Sequence, residues 1–236
     1  MADRFYVNAS LSAGPCILTG PEAHHLSHVS RVRVGDKVVL FNGDGQEYPA
    51  AVIRTSRSEV ELDVFSPRCH NRELPFPLIV ACPLPKGDRC QFLLEKLTEL
   101  GVTSFVPLET ERTVVHPGEG KVDKLRRYVI EASKQCGRNC LMEIQLPEAW
   151  PNFARRTDLP ALRWLADPTG KPISMTGIDQ GATLAIGPEG GWADKERTIC
   201  DEAGWTRIAL GPRIMRMETA ALALSAHVGF VSLASP

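Results

Sequence analysis

The 236-residue sequence has no excess of either charge: 27 Lys and Arg stand against 28 Asp and Glu, a net of −1. That balance excludes a polycation that coats nucleic acid, so any RNA or DNA contact must come from a local patch. No CxxC pair occurs among the 7 cysteines, and the odd count leaves at least one thiol without a partner. A secreted disulfide scaffold is a poor fit, and a reducing, cytoplasmic setting is expected. The opening MADRFYVNASLSAG carries Asp3 and Arg4 and lacks an apolar core of signal-peptide length. No GxSxG elbow is present, and the glycines near 118 and 187 form neither GxxxxGK nor GxGxxG. A nucleophile elbow, a P-loop and a Rossmann dinucleotide site therefore have no support. One stretch lacks charge altogether, Thr219 to Pro236, yet Ser225, His227, Gly229 and Ser232 interrupt it. Burial in protein, in part between two subunits, fits it better than a membrane span.

What is present falls into two rhythms. Up to about residue 72 the pattern is β: Val38–Phe41 and Ala51–Ile53 flank the turn cluster Asn42-Gly43-Asp44-Gly45, and Val60–Phe65 alternates. Short strands at this spacing predict a small barrel or sandwich. Ser66 to Pro77, with three prolines, reads as a linker. Beyond it, the short apolar run Leu78–Cys82 and further strands (105–108, 162–166, 183–186, 206–210) alternate with helices, among them one starting at Asp88, one over Lys121–Arg138 and one over Asp194–Ala203. Asp88 is the expected cap of its helix and Gly101 the residue that ends it. This alternation predicts a mostly parallel α/β domain.

Two segments point to chemistry. Ala185-Ile186-Gly187-Pro188-Glu189-Gly190-Gly191-Trp192 runs from a strand through a glycine loop to a helix. In open α/β sheets ligands sit at such carboxyl ends, although a plain tight turn would look the same. Leu210-Gly211-Pro212-Arg213-Ile214-Met215-Arg216-Met217-Glu218 places two arginines at a helix start, where the dipole disfavours them. An anionic substrate explains them better than chance. Lys86 to Arg89 reads as an exposed helix start. Lys121 to Arg138 holds six basic and two acidic residues, and Lys124, Arg127 and Lys134 can share a face suited to phosphates or simply to water. His24, His25 and His28 have no recognised ligand spacing, so no metal is expected.

Taken together, these segments resemble the RsmE-type 16S rRNA uridine-N3 methyltransferases of the SPOUT superfamily. The resemblance rests on His24-His25, Arg33-Val34-Gly35-Asp36, PKGDRCQFLLEKLTELGV, ERTVV at Glu111–Val115, SKQCGRN, LAIGPEGGW and LGPRIMRMETAALAL, in that order. Two positions depart from it: Met217 replaces a smaller residue, and Ala193 a Ser/Thr helix cap. The resemblance implies a PUA-like β-barrel for RNA placement over residues 1–72. It further implies a SPOUT α/β domain over 73–236 whose C-terminal part forms a trefoil knot, a feature periodicity could never show. It implies S-adenosylmethionine held by Leu165 and Ala166, by Gly187, Pro188, Gly190 and Gly191, and by Leu210 and Gly211. Arg213 or Arg216 would stabilise a uridine anion, with Glu218 or Glu189 as base or orienter. Lys86, Lys124, Arg127, Lys134 and Arg138 would contact RNA. The implied partners are 16S rRNA or the small ribosomal subunit and a second copy through the knotted region, with no membrane. Alternatives are a SPOUT enzyme acting on a ribose 2′-hydroxyl or another base, and a non-catalytic RNA-binding scaffold.

Overall fold

Asn42 Oδ1 accepts from the Asp44 amide (3.2 Å) and Asp44 Oδ1 from the Gln46 amide (2.9 Å), closing the first turn that the sequence predicts. The computed structural model describes residues 3–24, 26, 32–56, 58–115, 121–173 and 180–234. Within it the chain divides into two compact units, Met1–Glu73 with Ile130–Leu141, and Leu74–Val129 with Met142–Pro236.

The first unit contains β1 (Arg4–Tyr6), β2 (Gly14–Thr19), α1 (Gly20–His24), β3 (Lys37–Phe41), β4 (Gln46–Thr55), β5 (Glu59–Val64) and β6 (Arg68–Cys69). The sheet order is β1-β3-β4-β5-β2, with β6 on β4. The β3–β4 hairpin sets Leu40 opposite Tyr48, and the alternation of β5 turns Val60, Leu62 and Val64 into the core. Residues 130–141 bring a polar cluster. Arg138 Nε donates to both carboxylate oxygens of Glu73 (3.1 and 3.0 Å), and Arg4 donates to Glu47 (3.1 Å) and Asn139.

The second unit contains β7 (Leu78–Cys82), α2 (Asp88–Glu99), β8 (Ser104–Glu109), α3 (Lys121–Cys136, whose last turns belong to the first unit), β9 (Glu143–Ile144), β10 (Glu148–Ala149) and α4 (Trp150–Ala154). It continues through β11 (Leu162–Pro172), β12 (Ala182–Ile186), α5 (Asp194–Glu202), β13 (Thr206–Ala209) and α6 (Met217–Ala234). The order is β10-β8-β7-β12-β11-β13 with β9 on β8, and all pairs among the described strands are parallel. Every residue of β7 and β12 is buried, because both faces of the sheet are covered. One face carries Trp150, Phe153, Trp192 and Trp205 over Ile79, Ala81 and Ala185. On the same sheet α6 packs on β7, β12 and α2, as its nearly uncharged sequence requires.

Three local expectations change. Gly87, not Asp88, precedes the first turn of α2, and no side chain among the described residues caps it. Helix α3 ends at Cys136, two residues early, because Gly137 turns left-handed (φ 85°) and its amide bonds Ser133 O at 3.0 Å. Strand β11 continues past Ala166 after a register shift, so that Lys171 pairs with Ile208. A side chain at Gly170 would lie 2.5 Å from the Ile208 nitrogen, and only glycine lets the backbone pass there.

Candidate active site

The carboxyl ends of β11, β12 and β13 lie side by side and open into one cavity of about 380 Å³. Its floor is apolar, from Ala166, Ile186, Ile208 and Leu210, and its walls are the two loops singled out in the sequence. Gly187, Pro188, Glu189 and Gly191 come from one; Gly211, Arg213 and Arg216 come from the other. Residues up to 54 positions apart at their extremes of the chain are thus brought together by parallel strand order alone, the arrangement expected of a ligand site in an open α/β sheet.

Trp192 sets the shape. Its indole N–H donates to Ala166 O (3.0 Å), tying the loop after β12 to β11. A side chain at Gly187 would sit 2.9 Å from that nitrogen, so the glycine exists to let the indole lie against the chain. Gly191 closes a tight turn with its amide on Pro188 O (2.8 Å) and its φ at 71°. Asp167, almost fully buried, accepts from the Thr169 amide (2.9 Å), the Thr169 hydroxyl (2.8 Å) and Arg197 Nε (2.7 Å). Burial alone would raise its carboxyl; these three donors outweigh burial and hold it below the ordinary aspartate range.

Two residues expected at the cofactor, Leu165 and Gly190, are not among those lining the cavity. Leu165 points into the aromatic core and is fully buried there, because alternate residues of β11 face opposite sides. Gly190 does not line the cavity. Its carbonyl accepts from Arg112 Nη1 (2.7 Å), and a side chain on it would meet Arg112 Cδ at 3.2 Å. Arg112, from the ERTVV stretch, is thereby a strut under the glycine loop. Glu196 is a second strut that sequence reasoning passed over. Buried at the first turn of α5, its carboxylate accepts from the amides of Ala193 (2.9 Å) and Glu111 (2.9 Å). The signal was legible: a Glu three residues after a cap position whose alanine cannot cap for itself.

The rim is charged. Arg213 and Arg216 are exposed, and between them Ile214 is 90 % exposed. Arg89, read from sequence as part of a bland helix start, reaches across with Nη1 2.7 Å from Glu189 Oε1 and 3.5 Å from Glu218 Oε1. That hydrogen bond, together with the guanidinium charge, pulls the Glu189 carboxyl below its ordinary range. Glu218 does not line the cavity; it is buried at the start of α6 between Met217 and Ala220, and Met217 and Ala220 do line it.

Of the expected RNA contacts, Lys86, Lys124 and Arg127 are exposed. Lys134 is tucked in and paired with Glu131 (2.9 Å). Arg138 is a correction: its side chain is 4 % exposed and forked onto Glu73, so it holds the first unit together instead of meeting phosphate. His25 and His28 lie outside the described residues; among those described, no cluster of metal-ligating side chains occurs. None of the seven cysteines is in a disulfide. No described helix is long and apolar enough to cross a membrane.

Comparison with known proteins agrees with this geometry. A family model described as an RNA methyltransferase domain matches residues 72–229, and one described as an RNA methyltransferase PUA domain matches residues 18–65. The chain is 32 % identical to the ribosomal RNA small subunit methyltransferase E of Bacillus subtilis, covering 89 % of this chain and 88 % of that protein. It is 31 % identical to the protein of the same name from Synechocystis, covering 86 % and 69 %. Among solved structures, a methyltransferase from Legionella pneumophila with bound SAM superposes with a TM-score of 0.90 at 29 % identity, covering 99 % and 98 % of the two chains. The ribosomal RNA small subunit methyltransferase E of Neisseria gonorrhoeae, bound to S-adenosyl methionine, gives 0.88 at 28 % identity over 98 % of each chain.

Proposed function

The chain belongs to the RNA methyltransferase family whose model spans residues 72–229, and from that premise we propose that it methylates 16S ribosomal RNA with S-adenosylmethionine, at N3 of a uridine. The observation that carries this reading is the cavity at the ends of β11, β12 and β13, with an apolar floor, glycine walls and an arginine rim.

The residues present fit the cofactor. At Gly191 and Gly211 the space a side chain would fill is open, and both line the cavity, so backbone groups can approach an adenosine closely. Ile186, Ile208 and Leu210 offer an apolar seat for a purine. S-adenosylmethionine supplies an electrophilic methyl carbon on a sulfonium. The chain's own work is then to orient the base, exclude water and deal with the N3 proton. Arg213 or Arg216 suits the charge that develops across the uracil oxygens, since a guanidinium donates two hydrogen bonds in one plane. Glu189 lines this rim, and Arg89 links it to Glu218.

Residues 1–72 serve, in this reading, as a PUA-like barrel that places RNA, and 73–236 as a SPOUT domain with a C-terminal trefoil knot, acting in the cytoplasm. Lys86, Lys124 and Arg127 meet phosphates. The Lys124→Ala, Arg127→Ala double variant should therefore weaken RNA binding and flatten its salt dependence, leaving the maximal methylation rate within about twofold. Filter binding at two salt concentrations tests it; an unaltered salt slope removes these residues from the interface.

A homodimer through α6 completes the proposal. Phe230 is 65 % exposed and Leu222 half-buried on a helix with no charge after Glu218. Light scattering should give twice the chain mass, and Leu222→Asp should halve it by placing an unpaired carboxylate in the interface. A wild-type protein that is monomeric at micromolar concentration ends this part. The whole reading is tested by calorimetric titration with S-adenosylmethionine and by mass mapping of 16S rRNA after incubation with both. Absence of cofactor binding, or a methyl group on a ribose hydroxyl, would overturn it.

A further inference from the structure

Glu218 has been withdrawn from water without being given partners enough. Its side chain is 8 % exposed, and among the described residues Oε1 has only a long contact of 3.5 Å to Arg89 while Oε2 is closed to solvent with no hydrogen-bond partner. An ionised carboxylate has about four acceptor positions. Buried polar atoms in native proteins are almost always satisfied, and the exceptions gather where a ligand completes the set. An acceptor that waits unbonded calls for a donor.

Its surroundings narrow down what that donor is. The flanking residues Met217 and Ala220 line the cavity, and Arg89 Nη1 joins Glu218 to Glu189 on the cavity wall. The titratable groups against Glu218 among the described residues are Arg89 from α2 and Cys82 from β7, and Arg89 in turn holds Glu189 from the loop after β12. Burial keeps the Cys82 thiol protonated. Arginine stays protonated in proteins and takes no proton from a substrate. Glu189 is 64 % exposed and already holds the short 2.7 Å bond from Arg89, which spends its basicity. Glu218 is left as the carboxylate with an oxygen that no described residue occupies, next in the chain to a residue that lines the cavity.

We propose that Glu218 Oε2 accepts the ring N–H of the target base and that Arg89 is the positioning residue that holds Oε1 and leaves Oε2 free. This rests on the uridine-N3 reading above. In the step, the N3–H bond breaks and its proton passes to Glu218. The N3 electron pair forms the bond to the methyl carbon, and the carbon–sulfur pair stays on sulfur, which becomes a neutral thioether. The sulfonium charge and the carboxylate charge disappear together, so atoms and charge balance. The proton leaves to solvent afterwards, restoring the carboxylate.

The test compares Glu218→Gln, Glu189→Gln, Arg89→Lys and Arg89→Ala with the wild type, in single-turnover methyl transfer to 16S rRNA from about pH 6 to 10, alongside melting temperature and cofactor affinity. Glu218→Gln should lower the rate by roughly 10²–10⁴-fold near neutrality. Its rate should then climb about tenfold per pH unit as hydroxide replaces the missing acceptor. It should melt close to the wild type, because the amide keeps the volume and shape of the carboxyl group, and bind S-adenosylmethionine within a few-fold. Glu189→Gln should lose less than about tenfold. Arg89→Lys should recover part of what Arg89→Ala loses, through the retained cation. A Glu218→Gln variant with the wild-type rate, one depressed equally at every pH, or a hydroxide-dependent slope in Glu189→Gln instead would each overturn the proposal. Mass mapping of the wild-type product keeps the two claims apart: a methyl group away from a ring nitrogen defeats the uridine-N3 reading itself.

Discussion

Gly187→Val is expected to weaken S-adenosylmethionine binding by roughly 5- to 150-fold while the protein stays folded. The added Cβ would stand 2.9 Å from Trp192 Nε1 and 3.0 Å from Cε2. The indole cannot retreat cheaply. Its N–H is committed to Ala166 O at 3.0 Å, and its ring lies 4.9 Å from that of Trp150. The loop after β12 must therefore move instead, and that loop is a wall of the cavity. Overpacking of this kind costs about 1–3 kcal/mol, and when the strain is relieved by shifting the binding loop it is read as lost affinity. Calorimetry measures it, with circular dichroism to certify the fold. Gly190→Ala is the matched control. Its Cβ meets only the flexible stem of Arg112 at 3.2–3.3 Å, outside the cavity, so affinity should change by less than about threefold. Equal losses at the two positions, or none at Gly187, would mean that the loop does not shape the cofactor seat.

The contrast between those two glycines shows how far sequence carries. Leu78–Cys82 is a short unbroken apolar run, and with the strand–helix alternation after it a mostly parallel sheet covered on both faces was legible; the structure pairs it with Ala182–Ile186. The loops at 187–191 and 210–216 were legible as strand-to-helix turns with glycine or arginine, and both line the cavity. What stayed hidden depends on partners distant in the chain. Arg89 meets Glu189 across 100 residues, so a helix start that looks bland locally is part of the charged rim. Counting charges along α3 treats Arg138 like its neighbours, whereas Glu73, 65 residues away, takes it into a buried fork. Asp167-Pro168-Thr169-Gly170 has the composition of a turn, yet β13 draws it into a continued strand. Face is equally invisible at single-residue resolution: Ala166 lines the cavity and Leu165 beside it belongs to the core.

That core supplies the largest stability effect expected. Trp150 is fully buried, with ring centroids 4.9 Å from Trp192, 5.2 Å from Trp205 and 6.5 Å from Phe153. Its N–H donates to Glu196 O at 3.0 Å, so it also anchors the first turn of α5, the turn whose Glu196 carboxylate holds the Ala193 and Glu111 amides. Trp150→Ala removes a large apolar side chain, leaves a cavity among three aromatic neighbours and strips a buried carbonyl of its donor. Substitutions of this type cost about 3–5 kcal/mol, which for a chain of this length lowers the melting temperature by roughly 6–20 °C. Trp150→Phe keeps most of the ring contacts and loses the N–H, so it should forfeit only about 1–3 kcal/mol. Because Trp192 rests on Trp150 at one side and on Gly187 at the other, the alanine variant should also bind cofactor more weakly than the phenylalanine variant at temperatures where both are folded. Urea denaturation followed by tryptophan fluorescence gives the stabilities, and calorimetry at low temperature gives the affinities. A Trp150→Ala protein that melts within about 2 °C of the wild type would show that the four aromatics do not act as one packed unit, and the account of Trp192 as a fixed wall of the site would fall with it.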